Sequence, residues 1–203
     1  MVSMVSSLSF EGLGVTDELW RAIVREIPSH HMEGRLADYA FGFRREFMLV
    51  EAKQYLEIGC RLGHSLAASL IASKANAMVV DSWIPYYGAE RNEGPRVVAA
   101  HLYNLHINPL RVDFRTGDSH VVLPKLLGLL FDRILVDGDR SEEGAKQDLI
   151  DSLPLLAPNG ILYLDDFEPP LENMAKKFAL DNHLNLDVHE REGEAPAWCT
   201  MRR

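Results

Sequence analysis

From residue 53 onward the chain alternates short apolar runs with helically spaced segments, and the apolar runs tend to close in acids. KQYLEIG, NAMVVDSW, RVDFRTGD, FDRILVDGD and ILYLDDF have the length and side chains of strands. Between them, HSLAASLIASKA, PRVVAAHLYNLHIN, HVVLPKLLGLL and SEEGAKQDLIDSLPLL carry helical spacing, the third despite Pro124, with Ser141 placed to cap the fourth. Pro158-Asn159-Gly160 reads as the turn into ILYLDDF. Strands separated by helices pair in parallel through right-handed crossovers, which covers both faces of the sheet. A helix near Leu171 to Asn182 follows, then LDVHERE, a GEAP turn and AWCTMRR, which read as an antiparallel hairpin. The expected fold is α/β: a Rossmann-like, doubly wound, mostly parallel seven-stranded sheet with an antiparallel C-terminal hairpin.

Residues 51–203 account for that domain. Residues 1–50 are expected to form an N-terminal helical extension, serving as a lid or a dimer surface. Helical spacing runs from Asp17 to Ile27, a second helix falls within Leu36 to Glu51, and Phe41, Phe43 and Phe47 are apolar enough for either role.

In open sheets of this kind, ligands bind beyond the carboxyl ends of the strands, where strand order reverses. Glu57, Asp81, Asp118, Asp137, Asp165 and Asp166 all fall at strand ends or just after. Chance would scatter six acids, so a binding site is expected on this rim. The formal net charge of −9 argues against a nucleic-acid partner, whose phosphates need a basic face. Cys60 and Cys199 fit no metal spacing and read as isolated buried thiols. The N-terminus lacks the basic start of a signal peptide, and no run approaches the ~20 apolar residues of a membrane span. The expectation is a cytoplasmic protein with no membrane partner.

The loop after the first strand, EIGCRLGHS, decides which ligand the rim takes. A dinucleotide loop needs a glycine where the backbone approaches the pyrophosphate, and here that place holds Arg61. Gly59 and Gly63 remain, and by themselves they also suit a plain strand-to-helix turn. Glu57 is a poor neighbour for a polyanion and a good one for a cation. Asp81, ending the next strand, can accept both hydroxyls of a ribose. A nucleoside with positive charge and no phosphate meets these demands, and S-adenosylmethionine is one.

EIGCRLGHS, VVDSW, TGDSH and FDRILVDGDR…LLAPNGILYLDDF together resemble the class I S-adenosylmethionine-dependent methyltransferases, in particular the small-molecule O-methyltransferase-like branch. The resemblance spans roughly residues 50 to 203. It implies a methyltransferase-type sheet and S-adenosylmethionine as cofactor. Glu57, Gly59 and Gly63 would line its methionine part, Asp81 would bind the ribose with Ser82 and Trp83 beside the adenosine, and Asp118 and Ser119 would meet the adenine edge. Asp137 would adjoin the cofactor and the reacting centre. Asp118 has a second reading as a helix cap, and Ser65 is better placed to cap a helix than to touch a ligand.

In metal-dependent members, an Asp at the fourth strand end and an Asp-Asn or Asp-Asp pair at the fifth hold a divalent cation. Asp137, Asp165 and Asp166 stand at those positions, and three hard carboxylates suit Mg²⁺ or Ca²⁺ better than zinc. Solvated strand-end acids are the alternative. One departure concerns catalysis: the family commonly has a histidine, a candidate general base, where this chain has Arg140. A guanidinium cannot take a proton at neutral pH, so Arg140 would hold an anionic substrate or pair with Asp139. His101 and His120 lie in helical patterns and read as structural.

The loop of residues 83–96 is long, aromatic and charged. It can form part of a pocket, with Trp83, Tyr86 and Tyr87 stacking on a planar acceptor, or serve as a surface connection. The expected activity is methyl transfer to an oxygen of a small-molecule acceptor, possible partners being that acceptor and a second copy of the chain. The rivals are a cofactor-binding protein without turnover and a nicotinamide oxidoreductase, the latter disfavoured by Arg61 and the terminal hairpin.

Overall fold

The computed structural model describes residues 52–84, 94–189 and 197–203, and the expectations for the N-terminal extension, for Tyr86 and Tyr87 and for the GEAP turn lie outside them. The described residues form strands β1 (Gln54–Ile58), β2 (Asn76–Asp81), β3 (Val112–Thr116), β4 (Phe131–Val136), β5 (Leu156–Leu164), β6 (Asn185–His189) and β7 (Trp198–Arg202). Helices α1 (His64–Ala72), α2 (Pro95–Asn104), α3 (Ser119–Val122), α4 (Glu142–Ser152) and α5 (Leu171–Asp181) connect them. The strands make one sheet in the order β3-β2-β1-β4-β5-β7-β6. Neighbours from β3 to β5 run parallel, and β7 is antiparallel to both β5 and β6. The expected seven-stranded α/β sheet with its C-terminal hairpin is the fold observed.

Because successive side chains in a strand point to opposite faces, the central strands bury residues on both sides. One core gathers Leu56, Ile58, Ile134, Val136 and Leu162 with Leu149 of α4 and Phe178 of α5. The other gathers Tyr55, Val79, Leu135 and Tyr163 with Leu66 and Leu70 of α1 and Leu102 of α2. Chain direction reverses its lateral progress between β1 and β4, so the crevice of this sheet opens at the carboxyl ends of those two strands.

Two segments depart from the sequence reading. HVVLPKLLGLL gives only one turn of α-helix, followed by a 3₁₀ turn at Leu123–Leu126. Pro124 has no N–H to continue the α-helical ladder, and its ring crowds the preceding turn. Pro158-Asn159-Gly160 lies inside β5, where the pairing with β4 shifts register, so the strand begins earlier than expected. Ser141 does cap α4, its hydroxyl accepting the Gly144 N–H at 3.0 Å.

The end of α1 is closed from a distance. Arg111, in the 3₁₀ turn before β3, donates to the carbonyls of Leu70 (3.1 Å), Ser73 (2.9 Å) and Ala75 (2.6 and 3.1 Å). The Leu70 and Ser73 carbonyls belong to the helix end, where partial negative charge collects and a guanidinium is well placed, and Ala75 O lies in the turn that follows. Arg111→Ala leaves them to solvent and is expected to lower the unfolding free energy by about 2 kcal/mol, from several charge-assisted bonds at a half-buried site. Urea denaturation of the variant checks this, and an unchanged midpoint would refute the capping role.

Candidate functional site

The site is built on the crevice between β1 and β4. After Ile58 the chain must turn sharply into α1, and it does so through Gly59 (φ +81°), Arg61 (φ +51°) and Gly63 (φ +86°). A Cβ on Gly59 would stand 2.1 Å from the Asp137 carbonyl oxygen and 2.8 Å from the Gly138 Cα. Glycine is therefore required twice over, for the positive φ and for the backbone-to-backbone approach of the loop to the end of β4. Asp137 N in turn donates to Ile58 O at 2.9 Å, and Gly59 N to Val80 O at 3.0 Å, which locks three strand ends together. At Gly63 the obstacle is a side chain: Val98 Cγ1 of α2 lies 2.7 Å from where a Cβ would stand.

Asp81 ends β2 and faces this loop. One carboxylate oxygen accepts the N–H groups of Cys60 and Arg61, each at 2.8 Å, and the other accepts Trp83 N at 2.6 Å. A carboxylate has about four acceptor positions, so Asp81 holds the loop's shape and keeps capacity for a further donor. Arg61 contributes its backbone N–H here while its side chain is exposed.

Glu57 is fully buried, and its two oxygens accept hydrogen bonds from Tyr55 Oη (2.6 Å) and Ser65 Oγ (2.5 Å). Burial pushes its pKa up to about 7. The two hydroxyls oppose that rise, and the charges of Asp137 and Asp81 add to it. Glu57 is thus a buried carboxyl group held through both oxygens by Tyr55 and Ser65. Ser65, expected to cap α1, instead serves Glu57, and the N-cap position belongs to Gly63 with no side-chain cap.

At the end of β3, Gly117 N donates to Asp81 O at 3.0 Å, which brings Asp118 and Ser119 to the same rim. Asp118 caps α3, its carboxylate accepting His120 N at 2.8 Å. Ser82 is exposed. Trp83 is buried, packed in the second core with its ring 6.3 Å from that of Phe114, so stacking on an acceptor would require it to leave that position. His101 contacts Leu62 O through Nδ1 at 3.3 Å, as a structural role predicts.

Across the crevice, Asp137, Asp165 and Asp166 each present a carboxylate oxygen within 4.8 Å of the others. Arg140 lies among them. Its Nε is 2.7 Å from Asp166 Oδ2 and its Nη2 is 3.4 Å from Asp137 Oδ1. Its expected pairing with Asp139 is replaced by these two. Asp139 instead accepts Ser141 N at 2.8 Å and packs so tightly on α4 that a Cβ on Gly144 would meet its carboxylate at 2.2 Å.

Sequence reasoning misses the groups behind the site. Nothing in the spacing of Tyr55 and Ser65 marks them as partners of Glu57. Asp148 of α4 is fully buried behind β4, with Oδ2 3.0 Å from where a Gly138 Cβ would be, and His120 Nδ1 lies 3.4 Å from its Oδ1. Burial pushes its pKa up to about 6. An acid on the same helical face as buried Ala145, Leu149 and Ser152 is the signal that could have found it. Both cysteines are free and buried, as expected.

Two outcomes follow from this geometry. Gly59→Ala is expected to cost several kcal/mol or prevent folding, since neither the positive φ nor the Asp137 backbone can yield cheaply, and thermal melting measures it. Glu57 has its folded pKa raised from 4.5 to about 7, so the stability this group contributes is complete below about 4.5 and lost as pH rises through 7. Unfolding free energy should therefore fall between pH 5 and pH 8, and Glu57→Gln should flatten that fall, as urea titrations at the two pH values would reveal. An equal slope in the variant would place the dependence elsewhere.

The arrangement matches known proteins. A family model described as "Methyltransferase domain" matches residues 56–167, more than half of the chain. No curated protein sequence matches it significantly. Among solved structures, the O-methyltransferase from Bacillus cereus in complex with S-adenosylhomocysteine (SAH) is similar at a TM-score of 0.66 and 14% identity, over 95% of this chain and 94% of that one. The SAH-bound methyltransferase PaMTH1 of Podospora anserina aligns at 0.61 and 19% identity, over 93% and 88%. The O-methyltransferase TomG of Streptomyces achromogenes, involved in tomaymycin synthesis and bound to SAM, aligns at 0.67 and 14%, over 95% and 93%. At such identities the likeness is one of fold, and the family match carries the assignment: the chain belongs to the methyltransferase domain family and has the class I methyltransferase fold.

Proposed function

We propose that the protein binds S-adenosylmethionine in the β1–β4 crevice and transfers its methyl group to an oxygen of a small-molecule acceptor. The observation that carries this reading is the loop Gly59–Gly63, pressed against the Asp137 backbone and held by Asp81. Burial is the main cause of the raised Glu57 pKa, and repulsion from the charges of Asp137 and Asp81 adds to it. A ligand bearing sulfonium and ammonium charges relieves that repulsion, and a pyrophosphate worsens it. The solved O-methyltransferases with SAM or SAH bound support the same choice.

When bound, S-adenosylmethionine would supply a methyl carbon made electrophilic by its sulfonium, to which the acceptor oxygen would bond in line as the carbon–sulfur bond breaks and S-adenosylhomocysteine leaves. The chain's own work is positional. The remaining acceptor capacity of Asp81 suits a ribose hydroxyl, and Asp118, Ser119 and Ser82 line the rim on the β3 side. The acceptor hydroxyl must lose a proton. Arg140 cannot receive it, whereas a carboxylate of the Asp137 group or solvent can. Holding two reactants in register supplies much of the rate in such a displacement.

The divalent cation raised by the resemblance finds donors of the right number and hardness in Asp137, Asp165 and Asp166. Arg140 already bonds to two of the three, so as folded this group fits a metal poorly, and the transfer step is derived without one.

Calorimetric titration with SAH tests the cofactor reading. The wild type is expected to bind saturably, and Asp81→Ala to bind at least about tenfold more weakly, the loss of a hydrogen bond to a charged group. Absence of saturable binding by the folded wild type would sink the proposal.

A further inference from the structure

We infer that Arg140 is the resident cation of this site, occupying the place a divalent metal would take between the ends of β4 and β5, and that the chain's methyl transfer is metal-independent. The inference deepens the methyltransferase reading and draws its meaning from it, but its test does not depend on that reading. Asp137, Asp165 and Asp166 bring their oxygens within 4.8 Å of one another, and Asp165 is buried, so their negative charge needs compensation. Arg140 sits three residues beyond Asp137, on the turn between β4 and α4. That turn is fixed from behind by Asp139, which holds Ser141 N and packs on Gly144. The backbone thereby delivers the guanidinium to the acids. Nε reaches Asp166 Oδ2 at 2.7 Å while Nη2 faces Asp137 Oδ1 at 3.4 Å, which joins the two strand ends through one planar group.

Total charge does not exclude a metal here, since three carboxylates still outnumber one guanidinium. The position of Arg140 opposes one. Mg²⁺ or Ca²⁺ would need a carboxylate oxygen of Asp166 at roughly 2.0–2.6 Å, while Arg140 already holds Asp166 Oδ2 at 2.7 Å, so two like charges would stand only a few ångströms apart. Arg140 is 44% exposed at its side chain, so it can be displaced outward, and the result is weakened rather than forbidden metal binding. A guanidinium does not dissociate or titrate at physiological pH, so the compensation is permanent where a metal's would follow its concentration.

The test is Mn²⁺ binding to the full chain, followed by electron paramagnetic resonance of the free ion. Arg140→Ala and the neutral, longer Arg140→Gln are compared with the wild type, and folding is checked by circular dichroism. The wild type is expected to bind Mn²⁺ at least about tenfold more weakly than either variant, because removing one like charge from the coordination site relieves its repulsion. Adding Asp166→Asn to Arg140→Ala should abolish the gain. In parallel, SAH affinity of the wild type should be the same with excess Mg²⁺ and with a chelator. Equal Mn²⁺ affinity in wild type and both variants, or SAH binding that requires the metal, would overturn the inference. Failure of SAH to bind at all would instead sink the cofactor reading and leave the Mn²⁺ comparison standing.

Discussion

Negative charge crowded onto one strand edge is the constraint on which the rest of this site depends. Parallel strands deliver their carboxyl ends to the same rim, and here β2, β4 and β5 each end in an acid or just before one, while β1 carries Glu57 as its penultimate residue. Left alone, such a cluster would destabilise the fold. Each acid is accommodated differently. Asp81 is held by three backbone N–H groups, and Glu57 by burial that favours its protonated form together with two hydroxyl donors. Asp137 and Asp166 are held by the guanidinium of Arg140. The site is therefore organised by the very interactions that keep it tolerable. The loop's shape follows from Asp81's bonds, and the join between β4 and β5 from Arg140's.

The glycine loop contributes geometry instead of charge. Because Gly59 lets the β1 turn rest on the Asp137 backbone, the loop closes against the end of β4, with Asp81 on one side and the Asp137 group on the other. Arg61 in the left-handed region shows how the chain keeps the turn without the middle glycine. The backbone supplies an N–H to Asp81 while the side chain points to solvent. In a phosphate-binding loop that position must remain bare so that backbone donors face the anion. Here the Cys60 and Arg61 donors are already spent on the Asp81 carboxylate, so they do not face an anion.

Most of the sheet is legible in the sequence because its evidence is local. Strands buried on both faces read as continuous apolar runs, and helices as 3.6-residue periodicity; the strand-end acids then fall into register without further information. Sequence and structure part where tertiary contact overrides a local rule. Ser65 stands at a helix start, where capping is the local expectation, yet a buried carboxylate eight residues earlier claims its hydroxyl. Pro158-Asn159-Gly160 has turn chemistry, yet the strand absorbs it as a register shift against β4. Arg140 is visible as a residue that cannot act as a base, but which acids it joins depends on where β5 ends beside β4. No sequence separation reports that distance.

A nicotinamide dinucleotide faces three obstacles on this edge, and they compound. Its pyrophosphate would approach Glu57 and Asp137; burial raises the Glu57 pKa and the charge of Asp137 adds to that rise. The loop offers it no glycine at the closest point, and the Cys60 and Arg61 donors are turned to Asp81. Its binding would also have to overcome carboxylate–phosphate repulsion in a partly buried crevice, where screening by salt is weak. A cation reverses every one of these terms. It lowers the cost of ionising Glu57, leaves the loop donors where they are, and needs no bare backbone. The same acids that disqualify one class of nucleotide ligand thus recommend the other, and the preference arises from the charge at the strand ends more than from the sheet that carries them.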